Sequence, residues 1–446
     1  MASRIHAREI DTDITRTRRK EARSLPHISV LPQAQPHAGI YVGGGASHSW
    51  TWFVDLLERY GYLRLSFLNE RDVQSGLVDL DILIVSGGDT FAVAEALGVT
   101  GARAIQQFVE AGGLYIGSCA GAYLPLHSSK DPLRHFNFVQ ARINNLTREL
   151  PPVRLLPNKF STSYGCSFVF HPVRDEVSVR ICQWVPIHGG EEIQVPLYGG
   201  PPLQPSDDIL PLAHYSGFTP RSLFLTDPGI AEQVFIGKIA ACEKPMGQGY
   251  LLLLGPHFEH PDFPEGNQIV AKWVEDRFHE IKANDSLASE RKGITEGNET
   301  CFTKEIWEAF RREISNSRIR AWALERRSLS WQIGAKTYEP EKILGFLETI
   351  WKRRKGVRVY EDVERDSMRA GRILRMALAC QDLLRRIAQA SASEQETTHL
   401  AEELFPMLKD MTAGFLTAYF ESRRGAEAKG KQSHCVVWEG MWGNRA

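Results

Sequence analysis

The chain has no CxxC pair. Its seven cysteines stand apart at positions 119, 166, 182, 242, 301, 380 and 435. That spacing indicates neither a disulfide framework nor a zinc knuckle, and a reducing, cytoplasmic compartment is expected. Long apolar runs are also missing: none approaches the ~18 residues of a membrane span, and the N-terminus lacks the apolar core of a signal peptide. No membrane partner is expected. The formal net charge is only −1, which argues against bulk attraction to nucleic acid. Glycines cluster at Gly43-Gly44-Gly45, but without the GxGxxG spacing of a dinucleotide fingerprint, and no internal repeat is present. What remains is a chain of 446 residues, 43% hydrophobic and 24% charged, long enough for two or three globular domains.

Its most informative stretch is Gly112-Gly113-Leu114-Tyr115-Ile116-Gly117-Ser118-Cys119-Ala120-Gly121-Ala122-Tyr123. A short apolar strand runs into a tight turn and a helix start, with a cysteine at the turn. Gly117-x-Cys119-x-Gly121 has the spacing of a nucleophile elbow, whose strained backbone tolerates only small flanking residues. The N–H groups of the following helix favour a thiolate there. Upstream, Ile40-Tyr41-Val42 reads as a first strand. Trp52, Phe53, Leu56 and Leu57 have helical spacing, and Asp81–Val85 reads as a buried parallel strand that stops at Ser86-Gly87-Gly88-Asp89. Strands alternating with helices predict a parallel α/β sheet with ligands at the C-terminal ends of its strands.

Residues 127–235 carry short β-like runs, Ser167–Phe170, Val177–Ile181, Ile193–Tyr198 and Leu223–Leu225, between Pro and Gly turns. They predict antiparallel additions to the sheet or a β-rich insertion. Tyr198-Gly199-Gly200-Pro201-Pro202 is either a plain turn or a pocket wall. Further on, the strand Tyr250–Leu254 runs into Gly255-Pro256-His257-Phe258-Glu259-His260.

Hydrolysis of an amide by cysteine needs a thiolate, a base that later protonates the leaving amine, an acid that orients the base, and N–H donors for the oxyanion. Cys119, His257 and Glu259 fit the first three roles. Two residues along an extended segment put His257 and Glu259 on one side. The Ala120 N–H, with Gly88 or Asp89 from the Gly87-Gly88 turn, fits the fourth. Each piece has a plain reading of its own: a small core cysteine, a loop histidine, a strand-to-helix turn. Three strand ends with complementary groups favour the chemical reading. His257-x-Glu259-His260 matches no standard zinc spacing, so no metal is expected, and no cofactor.

These residues resemble the class I glutamine amidotransferase-like superfamily, with its Gly-x-Cys-x-Gly elbow and late His-x-Glu pair. More closely, they resemble the N-terminal domain of eukaryotic-type biotin–protein ligases and its stand-alone microbial relatives. The likeness rests on Ser86–Asp89, Phe108–Tyr123, Tyr198–Pro201 and Gly255–Glu259, and spans roughly residues 37–282. It implies a flavodoxin-like three-layer sandwich with a mostly parallel sheet and a Cys119–His257–Glu259 triad. From the turns themselves, Gly87, Gly88, Asp89, Ala120, Tyr198, Gly199 and Gly200 are expected about the oxyanion and substrate. Phe258 and Ser86 stand where these families usually have proline. The ligase's own catalytic domain has no counterpart: no Gly-Arg-Gly-Arg-type segment is present.

The expected organisation is a flexible basic tail over 1–36, the amidotransferase-like domain over 37–282, a polar linker over 283–301 and an all-α domain over 302–446. Helical spacing of Ile306, Trp307, Phe310 and Ile314, of Ile343, Phe346, Leu347 and Ile350, and of Leu374 through Leu384 supports the last. Its Arg-rich pairs, among them Arg353-Arg354, read as solvated surface. The expected function is a cysteine-dependent amidase or amidotransferase-like hydrolase of C–N bonds, acting on a small amide or carboxyl-derived substrate. The alternative is a non-catalytic ligand-binding or regulatory module whose helices contact a protein partner.

Overall fold

The computed structural model describes residues 35–144, 171–186, 188–225, 227–284, 300, 302–334, 336–361 and 368–430. The basic tail, most of the linker, the run Ser167–Phe170 and the apolar tail Cys435–Trp442 lie outside them.

Five short strands form the parallel half of the sheet: β1 (Ala38–Tyr41), β2 (Leu65–Leu68), β3 (Ile82–Val85), β4 (Leu114–Ser118) and β9 (Gly249–Leu254). Their order, β2-β1-β3-β4-β9, is flavodoxin-like, and every neighbouring pair is parallel. The sheet continues through β8 (Ile239–Met246), β7 (Leu210–Phe224), β5 (Val173–Ile181) and β6 (Glu192–Leu197), all antiparallel. The β-like runs at 177–181 and 193–198 are therefore sheet additions. Their Pro and Gly turns allow hairpin returns that a parallel crossover would not.

Alternation along the strands builds the layers. Ile82 and Ile84 face one core with Leu114, Ile116 and Leu252, while Leu83 and Val85 face the other with Tyr115, Leu251 and Leu253. Helices α1 (Trp50–Arg59) and α6 (Pro264–Asn284) cover the first face; α2 (Glu70–Gln74) and α3 (Thr90–Glu110) cover the second. A one-turn helix, α4 (Ala120–Tyr123), follows the elbow, and α5 (Pro228–Phe235) precedes β8.

The C-terminal part is built on α7 (Lys304–Glu325), α8 (Pro340–Arg353), α9 (Met368–Ala392) and α10 (Thr398–Gly430). It also holds a hairpin, β11 (Trp331–Ile333) and β12 (Lys336–Tyr338), and two residues each of β10 (Phe302–Thr303) and β13 (Val359–Tyr360). Its apolar core is continuous with that of the first sheet face. Phe346 of α8 lies 6.1 Å from Trp50 of α1, and Phe420 of α10 lies 6.4 Å from Phe67 of β2.

Arg353 corrects one expectation. It is not solvated surface: it is buried and paired with Asp55 at 2.7 Å and Glu58 at 2.6 Å, both on α1. Tyr419 of α10 also donates to Glu58. A local pattern of charges does not reveal that an opposing helix supplies two carboxylates.

Candidate active site

The elbow is fixed by what its glycines exclude. Cys119 adopts φ 52° and ψ −105°, a region that few non-glycine residues enter. A Cβ on Gly121 would lie 1.8 Å from the Val85 carbonyl oxygen, and one on Gly117 would lie 2.3 Å from that of Gly121. Only hydrogen fits between β3, β4 and the first turn of α4. The Cys119 N–H donates to the Leu254 carbonyl at 2.9 Å, so the elbow is stitched to the end of β9. That strand leads directly into His257.

His257 and Glu259 meet as their sequence order suggested, though not on an extended segment. They lie in a turn closed by the His260 N–H donating to the His257 carbonyl at 3.1 Å. Proline at 256 and proline at 261 bracket the turn and end the ladder. The His257 Nδ1 lies 2.7 Å from Glu259 Oε1, and both side chains are buried. Ser118 donates to the same oxygen at 2.8 Å. Nδ1–H is thereby held by the carboxylate, and Nε2 is the ring nitrogen left free to exchange a proton, with the Cys119 sulfur within electrostatic reach of the ring. A Cβ on Gly87 would lie 3.0 Å from the ring's Cε1, so glycine at 87 makes room for the imidazole.

Burial opposes a charge on either partner. For Cys119, the nearby imidazolium, its hydrogen bond and the Lys336 ammonium outweigh burial and bring the thiol below its ordinary value. For His257, the Glu259 carboxylate and the Cys119 sulfur outweigh burial and raise the ring to about 10. The pair is therefore biased toward thiolate and imidazolium. The rings around it are held neutral. His48 lies well below its usual value and His260 is lowered to about 4, each chiefly by burial.

Three residues that sequence reading did not single out complete the site. Ser118 shares the Glu259 carboxylate with His257; its place inside the elbow motif was the available signal. Trp52, read as a core position of α1, packs edge-on to His257 at 5.1 Å and to His260 at 4.4 Å. Asn267 of α6 donates to the carbonyls of Phe258 and His260, each at 2.9 Å, and pins the turn. Phe258 is fully buried against Trp273, their rings 5.7 Å apart.

The expected oxyanion donors divide. The Ala120 N–H begins α4 and has no intrahelical acceptor. Gly88 pairs with Ala46 through a bridge whose bonds are Ser47 N–H to Gly87 and Asp89 N–H to Gly45. The Gly88 N–H takes no part in it. Asp89 is withdrawn from the role: its N–H donates to Gly45, and its carboxylate caps α3 by accepting from Phe91 and Ala92. Acidic capping of the next helix was the competing use of that residue. Tyr198 does face the site, with its ring 5.7 Å from His257. Gly199 and Gly200 follow it in close packing. A Cβ on Gly200 would lie 1.6 Å from the Gly255 carbonyl oxygen, and one on Gly199 would lie 3.2 Å from His171, so both serve close packing. Among the described residues, no group of three His, Cys, Asp or Glu could hold a metal ion, and no helix is long and apolar enough to cross a membrane.

No curated protein sequence matches this chain. Among solved structures, a protein assigned as a GMP synthase component from Thermoplasma acidophilum is 16% identical over 55% of this chain and 99% of its own, with a TM-score of 0.32. A glutamine amidotransferase from Thermotoga maritima is 7% identical over 56% and 86%, also at 0.32. A β-galactosidase from Bacillus circulans sp. alkalophilus is 12% identical over 55% and 32%, at 0.31. The family described as "Biotin-protein ligase, N terminal" matches residues 78–130. That segment, which holds both the Gly87-Gly88 turn and the Cys119 elbow, is similar to the N-terminal part of biotin–protein ligases and lies within a flavodoxin-like sheet.

Proposed function

We propose that the protein is a cysteine-dependent amidase or amidotransferase-like hydrolase, acting on a small amide or carboxyl-derived substrate. The observation that carries this reading is the hydrogen-bonded chain His257–Glu259–Ser118, with its imidazole within electrostatic reach of Cys119 at the elbow. The Cys119 thiolate attacks the amide carbonyl and forms a C–S bond. The oxyanion is received by the N–H of Ala120 and that of Gly88. His257 gives its Nε2 proton to the leaving nitrogen as the C–N bond breaks, which leaves a thioester. It then takes a proton from water, whose attack yields the acid and returns the thiol.

Iodoacetamide labelling followed by mass spectrometry tests the nucleophile. Cys119 should react faster than Cys182, Cys242 and Cys380, and His257→Ala should slow it at least tenfold. Equal rates at all four cysteines would count against the reading. Incubation with a metabolite extract should leave an acyl adduct on Cys119 in the Glu259→Gln variant, where deacylation is impaired.

A specific observation favours the ligand-binding alternative as a second reading. A cavity of about 890 Å³ lies between the Gly43–Gly45 turn and helices α9 and α10, with Arg372 and Lys409 in its wall. If the biological role survived Cys119→Ala unchanged, this second reading would replace the first.

A further inference from the structure

The hairpin β11–β12 approaches the elbow from the helical part. A Cβ on Gly334, at its tip, would lie 3.2 Å from Asp89 Oδ2, next to the Gly88 turn. The helix that follows, α8, packs Gly345 against His48. His48 stacks edge-on against Trp52 at 5.1 Å, and Trp52 stacks against His257 at the same distance. Lys336 begins the second strand of this hairpin. It is half-buried, and its ammonium has no hydrogen-bond or ion-pair partner among the described residues. Its charge acts on the Cys119 sulfur and on His48.

The acids around it are otherwise engaged. Glu259 holds His257 and Ser118, and Asp89 caps α3. Glu339 and Glu341 act on Lys342. Lys342 is brought down to about 7, first by burial and then by Lys336; it donates to the Thr337 carbonyl and lies 5.1 Å over the Tyr338 ring. A half-buried cation without a counter-ion, on a hairpin whose tip abuts Asp89 and within electrostatic reach of the Cys119 thiol, is a place for an anion.

We infer that the substrate carries a carboxylate close to its scissile carbonyl, and that Lys336, brought to the site by the β11–β12 hairpin, is the cation that receives it. A single ammonium backed by a second one of weakened charge suits one negative charge; a phosphate calls for more donors. This inference rests on the hydrolase reading above, because it takes Cys119 as the reacting atom.

Two small alkylating reagents separate the two readings. Iodoacetate and iodoacetamide both form a C–S bond with the thiolate and release iodide, and they differ in one negative charge. Their rates at Cys119 and at Cys182 are measured on the full chain by peptide mass spectrometry. The iodoacetate-to-iodoacetamide ratio at Cys119 should exceed that at Cys182, and Lys336→Ala should lower it roughly fivefold. Any change in thiolate fraction affects both reagents equally and cancels in the ratio. Lys336→Gln should match Lys336→Ala, Lys336→Arg should retain the wild-type ratio, and raised salt should shrink the difference. A ratio unchanged in Lys336→Ala and Lys336→Gln overturns the inference and leaves the hydrolase reading standing. Absence of labelling at Cys119 by both reagents overturns both.

Discussion

The elbow at Gly117–Gly121 and the hairpin at Trp331–Tyr338 flank the same site, yet they reach it by different routes. The elbow is dictated locally: two glycines, a cysteine and a strand end force one backbone path. The hairpin carries no motif. It reaches the site because the apolar faces of α8 and α10 pack on α1 and β2, and because Arg353 joins Asp55 and Glu58. The elbow therefore stands on steric exclusion at a few positions, and the hairpin on a wide interface.

That contrast is sharpest in Gly121→Ala. The added Cβ meets a backbone carbonyl that cannot yield, so we expect a loss of more than about 4 kcal/mol, or no folded protein, in denaturant unfolding. Arg353→Ala tests the interface instead. It leaves Asp55 and Glu58 partly buried without their shared cation and should cost about 3 kcal/mol in thermal or denaturant unfolding. A loss below about 0.5 kcal/mol would mean that apolar packing alone holds the helices in place.

The pH dependence of stability probes the charged pair. In the unfolded chain imidazole titrates near 6.5 and thiol near 9.0, while in the fold His257 is raised and Cys119 is lowered. The raised His257 contributes stability that is fully present below 6.5 and is lost as pH rises toward its folded value of about 10. The lowered Cys119 contributes stability that is present above 9.0 and is lost as pH falls through its folded value. The two slopes therefore oppose one another wherever both groups titrate. In Cys119→Ser the unfolded chain has no thiol proton. Stability should then decline from pH 6.5 upward, by at most ~1.4 kcal/mol per pH unit, until His257 deprotonates. Identical profiles for wild type and variant would show that the two groups do not share a proton. The smallest effect is expected at Gly334→Ala. Its φ of +60° favours glycine, and the Asp89 carboxylate leaves little space, so about 1 kcal/mol should be lost.

Much of the site could be read directly from the chain. Gly117-x-Cys119-x-Gly121 and His257-x-Glu259 each follow an apolar strand, and strand ends of a parallel sheet converge on one edge. The antiparallel half was foreseeable from the Pro and Gly turns between its short β-runs. Other features carried no local signal. Asp89 has the same neighbours whether it serves an oxyanion or caps a helix; only the Gly45 carbonyl opposite its N–H decides. The close packing of Gly200 on Gly255 has no local signature until the two turns are placed together. Trp52 shares its helical spacing with true core positions, and which face of α1 meets His257 depends on how α1 lies across the sheet.

The sequence alone determined the strained backbone at Cys119, the pairing of His257 with Glu259 and the α/β alternation, because each follows from steric exclusion, proximity along the chain or strand periodicity. The tertiary structure decided the rest. It brought Ser118 onto Glu259, withdrew Asp89, turned Arg353 inward and carried Lys336 to within electrostatic reach of Cys119, which lies far earlier in the chain. Such contacts depend on which surfaces pack together, and packing is decided by the summed burial of whole elements rather than by any short motif.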